Sequence, residues 1–254
     1  MPLINIEGRH IECRMIPGDA GRQPLVFLHE GLGSAAQWRD FPDNVAKRLG
    51  APTLVYSRLG YGQSDRLLAK NTPQYMHNEA LEVLPRLLDA LGIERPLLVG
   101  HSDGASIALI HAAASGRAVR GLVLLAPHVF VEPVCLTSIA QVRESYFTTD
   151  LKERLAKHHA HVDDTFFGWV DTWLLPEFAA WSIEDLVPRV TQPMLLIQGL
   201  DDEYGTLEQP DRIEARARAP VRRLELASCG HSPHRDQEAA VLEAIVEFAG
   251  GLAP

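Results

Sequence analysis

Leu97-Leu98-Val99-Gly100-His101-Ser102-Asp103-Gly104-Ala105 is the stretch on which the reading of this 254-residue chain turns. A short apolar run of strand length passes through G-x-S-x-G into Gly104–Ala114, where the apolar spacing becomes helical. A serine on such a sharp strand-to-helix turn has its hydroxyl held out above the sheet, and the two glycines permit close packing at the turn. The turn also lies at the positive end of a helix, where a developing oxyanion is favoured. Ser102 is therefore the candidate nucleophile.

Outward from this turn, Val-, Ile- and Leu-rich runs alternate with longer amphipathic stretches, the pattern of a mostly parallel sheet flanked by helices on both faces. Ile4–Ile6 and Ile11–Ile16 read as a short antiparallel lead-in. The buried strands follow at Leu25–His29, Thr53–Ser57, Leu97–Gly100, Gly121–Leu125, Met194–Gln198 and Arg222–Leu226. Apolar spacing at three and four predicts helices over Ala35–Leu49, Asn78–Leu91, Gly104–Ala114, Pro210–Ala217 and Ala239–Phe248. From about Val131 to Val190 the alternation breaks: the helical stretches there hold Trp169, Trp173 and Trp181, three of the four tryptophans. The expected organisation is a core of residues 1–130 and 191–254 with a helical cap inserted at 131–190.

A serine hydroxyl is a weak nucleophile until a base takes its proton, and that base needs an acid to hold it. Both are on offer, each after a strand. Gly199-Leu200-Asp201-Asp202-Glu203 follows one, and Ser228-Cys229-Gly230-His231-Ser232-Pro233-His234 follows the next. The Gly-His step directly after the strand favours His231 over His234 as the base. Asp201 and Asp202 compete as the acid, because adjacent carboxylates cannot both face the histidine. Glu203 reads as surface charge.

Taken together, H-x-G-x-G from His29, G-Y-G-x-S from Gly60, G-H-S-D-G, a helical insertion, G-x-D-D and G-H-x-P resemble the α/β-hydrolase superfamily along essentially the whole chain. The Ser102-Asp103-Gly104 elbow and the His- and Trp-rich insertion are similar to its biphenyl-hydrolase-like branch, which includes hydrolases of α-amino-acid esters. The resemblance implies an α/β-hydrolase fold with an inserted helical cap and a triad in the order Ser102, Asp202, His231, the G-x-x-D spacing favouring Asp202. It implies an oxyanion hole built from the backbone N–H of Asp103 and one from the loop at His29-Glu30-Gly31-Leu32-Gly33, with Gly31 the best second donor and Leu32 the alternative. Glu30 stands where the family usually has glycine, and Ser57 where it often has aspartate.

Several features bound the function. A net charge of −9 without a basic stripe excludes a nucleic-acid surface. No apolar run nears the ~20 residues of a membrane span, and Met1 to Pro17 lacks the features of a signal peptide, so a cytoplasmic protein without a membrane partner is expected. Cys13, Cys135 and Cys229 suggest neither a disulfide framework nor a zinc site. His158 and His161 have the spacing of one helix face, but with no carboxylate in register they read as a solvated face rather than a metal site. Gly60-Tyr61-Gly62 lacks the third glycine of a dinucleotide fingerprint, so no cofactor is expected.

The reading is a serine hydrolase of a small carboxylic ester, lactone or thioester. The alternatives are a carbon–carbon bond hydrolase of a dienoic acid, for which Arg58 and Arg235 are the candidate cations, and a non-enzymatic ligand receptor on the same fold. Glu30, Trp169, Trp173 and Trp181 are the expected substrate-binding residues, the tryptophans either lining the pocket or packing the cap. Glu30 and Asp103 place two carboxylates near the acyl group, to be neutralised by a substrate amine or by Arg58.

Overall fold

Period-two alternation in the central strands sets the architecture. In the computed structural model, which describes residues 1–252, Leu25 and Phe27 face one side of the sheet while Val26 and Leu28 face the other. Residues 253 and 254 of the second expected core segment lie outside the described residues. Both faces are buried, so the strands read as continuous apolar runs rather than as alternating ones. The strands are β1 (Leu3–Ile6), β2 (Arg9–Ile16), β3 (Leu25–Leu28), β4 (Thr53–Tyr56), β5 (Leu97–His101), β6 (Gly121–Leu125), β7 (Met194–Gly199) and β8 (Val221–Leu226). They form one sheet in the order β1-β2-β4-β3-β5-β6-β7-β8. β1 and β2, and β2 and β4, pair antiparallel; every later pair is parallel.

α1 (Phe41–Leu49) and α10 (Glu238–Gly250) pack side by side on one face, where Trp38, Phe41, Val45, Val241 and Ile245 meet Phe27 and Val99. The other face carries α2 (Tyr75–Asn78), α3 (Leu84–Ala90), α4 (Asp103–Ala114) and α8 (Glu208–Arg216). Two expected helices differ in detail. Ala35–Leu49 divides into a 3₁₀ turn, Ala35–Trp38, and α1, because the chain turns at Arg39 with φ +53° and Pro42 sits in the first turn of α1. Asn78–Leu91 begins three residues earlier and passes through a π turn, Glu79–Val83. Pro85 has no N–H for an i−4 bond and crowds the carbonyl of residue 81, so the helix widens there rather than breaking.

Between β6 and β7 the chain forms α5 (Pro133–Thr148), α6 (Leu151–Ala156) and α7 (Val162–Trp173), then two 3₁₀ turns at Pro176–Ala180 and Val187–Arg189. The His158–His161 stretch is a turn, not a helix, so the expected shared face is not formed. α9 (Pro233–Asp236), which sequence periodicity does not reveal, follows the loop after β8. No helix among the described residues is long and apolar enough to cross a membrane.

Candidate active site

Ser102 is the single residue between β5 and α4, and it adopts φ +52°, ψ −118°, a conformation L-residues avoid unless the surroundings impose it. They do so here by close approach on both sides. A Cβ at Gly100 would lie 2.3 Å from the Gly104 carbonyl oxygen, and one at Gly104 would lie 2.0 Å from that of Leu28. Only glycine at both positions lets α4 start this near the sheet. The Ser102 N–H donates to the Leu125 carbonyl on the neighbouring strand at 2.9 Å, fixing the turn to β6.

The loops after β7 and β8 bring the other two groups to it. The Ser102 hydroxyl lies 2.9 Å from His231 Nε2, and His231 Nδ1 lies 2.9 Å from both carboxylate oxygens of Asp202. Asp202 also accepts from Gln198 Nε2 at 2.7 Å and from the N–H groups of Tyr204 and Gly205 at 2.8 and 3.2 Å. Burial works to raise its pKa, but His231 and the Tyr204 N–H outweigh it and hold the carboxyl at about 2. Burial likewise works to lower the pKa of His231, and the Asp202 charge overcomes it, leaving the imidazole above its ordinary value. The histidine's backbone is held too: its N–H donates to Glu203 Oε2 at 3.2 Å, and its carbonyl accepts from His101 Nε2 at 2.6 Å. Asp201 is exposed, with its N–H turned to the Cys229 carbonyl. His234 is buried against Trp38 and Phe41 instead of facing Ser102, and that burial depresses its pKa well below the usual imidazole range.

A cavity of about 220 Å³ opens on Ser102 and His231, with Glu30, Gly31, Trp169, Trp173 and Glu203 in its wall. A larger groove of about 720 Å³, between the 66–71 loop and α7, contains none of Ser102, His231 or Asp202. Asp103 is the first residue of α4, so its N–H has no partner within the helix. Across the cavity, the turn closed by Gly33 N–H on the Glu30 carbonyl at 3.1 Å leaves the N–H groups of both Gly31 and Leu32 outside its own bond.

Residues 23–180 match the family model described as alpha/beta hydrolase fold. The chain belongs to the α/β-hydrolase family. Among curated relatives, the proline iminopeptidase of Lactobacillus delbrueckii subsp. lactis is 30% identical over 99 residues, 39% of this chain and 34% of that protein. The chain thus matches about a third of the iminopeptidase's length. The monoglyceride lipase of Mus musculus is 23% identical over 228 residues, covering 79% of this chain and 72% of the lipase. MGS-M2, an α/β hydrolase enzyme from a Medee basin deep-sea metagenome library, shares the fold with a TM-score of 0.80 at 18% identity, covering 100% of this chain and 98% of its own.

Two expectations about the chain change. The Asp103 carboxylate does not flank the acyl position: it is fully buried, accepts from the Tyr75 hydroxyl at 2.6 Å and pairs with the Arg58 guanidinium at 3.4 Å. Trp181 is not in the cavity wall but stacks on Phe178 with ring centroids 5.6 Å apart, as packing. His159, between the two histidines read as a solvated face, points inward instead. It is buried, and it spends both ring nitrogens on backbone, Nδ1 accepting from Gly62 N–H and Nε2 donating to the Leu32 carbonyl, each at 3.0 Å. Glu30 does line the cavity, but its carboxylate is turned to His101 at 3.5 Å and Arg235 at 3.4 Å. Although burial opposes it, the His101 contact and the charge of Arg235 keep that carboxyl well below the ordinary range.

Where this chain has Ser57 instead of aspartate, the carboxylate comes from Glu12 on β2, which accepts from the Ser57 hydroxyl at 2.7 Å and from Gln63 N–H at 3.0 Å. Glu203, read from sequence as surface charge, lies in the cavity wall and binds the His231 backbone. Its place directly after Asp202 is the only signal that pointed to it.

Proposed function

We propose that this hydrolase cleaves a small carboxylic ester, lactone or thioester through an acyl-enzyme, with Ser102 as nucleophile, His231 as general base and acid, and Asp202 as the ionised partner. The continuous line from Ser102 Oγ to His231 Nε2 and from Nδ1 to Asp202, opening on a cavity, carries this reading. Ser102 Oγ attacks the carbonyl carbon while its proton passes to His231 Nε2. The oxyanion that forms takes hydrogen bonds from the Asp103 N–H and from Gly31 or Leu32. His231 then returns the proton to the departing oxygen or sulfur as the carbon–heteroatom bond breaks. Water repeats the sequence, releasing the acid and the free serine.

The cavity, at about 220 Å³, lies below the usual ~300–1,000 Å³ of drug-sized sites and favours a compact substrate. Residues 131–190 serve as a cap on the core of 1–130 and 191–254, closing the cavity with Trp169 and Trp173. A dienoic acid fits less well. Its carboxylate would meet Glu30 and Glu203, while Arg58 and Arg235 are engaged by Asp103 and Glu30.

The test is a panel of short esters, thioesters and lactones run on the wild type and Ser102→Ala, with fluorophosphonate labelling read by peptide mass spectrometry. The expected loss in Ser102→Ala is on the order of 10⁴–10⁶-fold, with the label on Ser102 alone. Equal turnover by both proteins, or a label on Ser64 or Ser106, overturns the assignment; binding without turnover favours a ligand receptor.

A further inference from the structure

Two tryptophans four residues apart on α7 reach the site, and their indole N–H groups have opposite fates. Trp173 Nε1–H donates to the Tyr75 hydroxyl at 2.8 Å. Trp169 is 7% exposed and its Nε1–H has no acceptor among the described residues. It lies in the wall of the Ser102 cavity, wedged against the turn that offers the oxyanion donors: a Cβ at Gly31 would be 2.1 Å from Trp169 Nε1 and 2.3 Å from Cε2. Gly31 therefore fixes where that N–H sits. Nδ1 of His128, another residue of the wall, also has no partner among the described residues, at 2% exposure. Buried polar groups in folded proteins are almost always paired, so an unpaired indole N–H on a residue that lines the cavity marks where a ligand's polar atom belongs.

The chemistry of that atom is narrow. An indole N–H only donates, so the missing group is an acceptor. An anionic acceptor is disfavoured by Glu30 and Glu203 in the same wall. Burial keeps His128 uncharged, its pKa lowered to about 3, so it supplies no compensating cation. The side of the substrate is fixed as well. The leaving group must lie at His231, whose ring neighbours are His101, His128 and Tyr204, whereas Trp169 abuts the oxyanion turn.

Resting on the ester-hydrolase reading above, we propose that Trp169 is a specificity-determining residue whose indole N–H donates to a neutral oxygen on the acyl group, next to the scissile carbonyl. The substrate class is then short acyl esters or lactones carrying an ether, hydroxyl or keto oxygen near the carbonyl, rather than plain alkanoates.

The experiment compares p-nitrophenyl methoxyacetate with p-nitrophenyl butanoate, an oxygen-for-methylene pair, each kcat/KM divided by the rate of hydroxide hydrolysis of the same ester. The wild type is expected to prefer the methoxyacetate by about fivefold to tenfold on this scale. Trp169→Phe, which keeps an aromatic ring and removes the N–H, should erase that preference, kcat/KM falling about fivefold to tenfold further on the methoxyacetate than on the butanoate. Equal losses on both esters, or an unchanged ratio, overturn the proposal. A second arm reads the contact without turnover: calorimetric binding of N-propyl methoxyacetamide and N-propyl butanamide to Ser102→Ala, with and without Trp169→Phe. If neither ester is cleaved but the amide preference is present and is lost with Trp169→Phe, the ester reading falls and the contact stands. If Ser102 cleaves both esters with no preference, the contact falls and the ester reading stands.

Discussion

Arg58→Met tests what holds the nucleophile turn in place. The guanidinium and the Asp103 carboxylate are both essentially buried and 3.4 Å apart, and among the described residues the only other donor to that carboxylate is the Tyr75 hydroxyl. At an effective dielectric near 20, two charges at this separation attract by about 5 kcal/mol. Removing one partner of a buried pair leaves the other charged and desolvated, which typically costs about 3–5 kcal/mol. Set against the ~5–15 kcal/mol of a whole domain, Arg58→Met should lose about a fifth or more of the stability, read as a lower urea midpoint with an unchanged slope. Adding Asp103→Asn removes the orphaned charge, so the double variant should recover at least ~2 kcal/mol relative to Arg58→Met. A single variant that loses under ~1 kcal/mol, or a double variant no more stable than the single, refutes the pairing as the reason a carboxylate is tolerated beside the nucleophile.

Asp202→Asn should lower kcat by on the order of 10⁴-fold with folding retained, and Asp201→Asn should change it little. Because the base must be neutral and Asp202 raises the pKa of His231, kcat/KM should rise through a midpoint above the ordinary histidine value; in Asp202→Asn that midpoint should move to lower pH. A pH–rate profile that moves upward, or equal losses in the two variants, contradicts the assignment. Gly104→Ala should cost about 2–3 kcal/mol, since the new Cβ would meet backbone at 2.0 Å, and the melting temperature should fall by roughly 5–10 °C. Gly250→Ala, at a helical position with nothing within 4 Å, is the control and should be neutral or stabilising.

What sequence made legible was whatever local pattern encodes. The buried strands announce themselves as apolar runs, and their ends differ from expectation by about one residue. The positions of Ser102, Asp202 and His231 follow because each lies directly beyond such a run. Direction and partnership were not legible. Asp103 reads as a carboxylate beside the acyl group until Arg58, 45 residues earlier, and Tyr75, 28 earlier, are seen to claim it. Ser57 looked like a lost aspartate because Glu12 supplies its carboxylate from an antiparallel neighbour 45 residues away. The turn at His158–His161 and the π turn before Pro85 each override helical spacing, the first by the contacts of His159 with two loops and the second by a missing N–H.

Those contacts also constrain how substrate reaches the serine. The segment between β6 and β7 is tied to the loops and helix beneath it at both ends of its approach. His159 bonds Gly62 and Leu32, Ala160 N–H donates to the Gly62 carbonyl at 2.9 Å, and Thr165 Oγ1 donates to the Gly60 carbonyl at 2.6 Å. Trp173 closes the other end on Tyr75. Swinging the segment away as a rigid lid breaks all five hydrogen bonds. At about 1 kcal/mol net for each, before any apolar surface is exposed, that alone costs about 5 kcal/mol and limits the open form to roughly one molecule in several thousand. A cavity whose wall is pinned in this way is preformed. On the function proposed above, entry then depends on small side-chain movements at its rim, and selectivity on what Trp169, Trp173 and Glu30 in its wall present to the substrate.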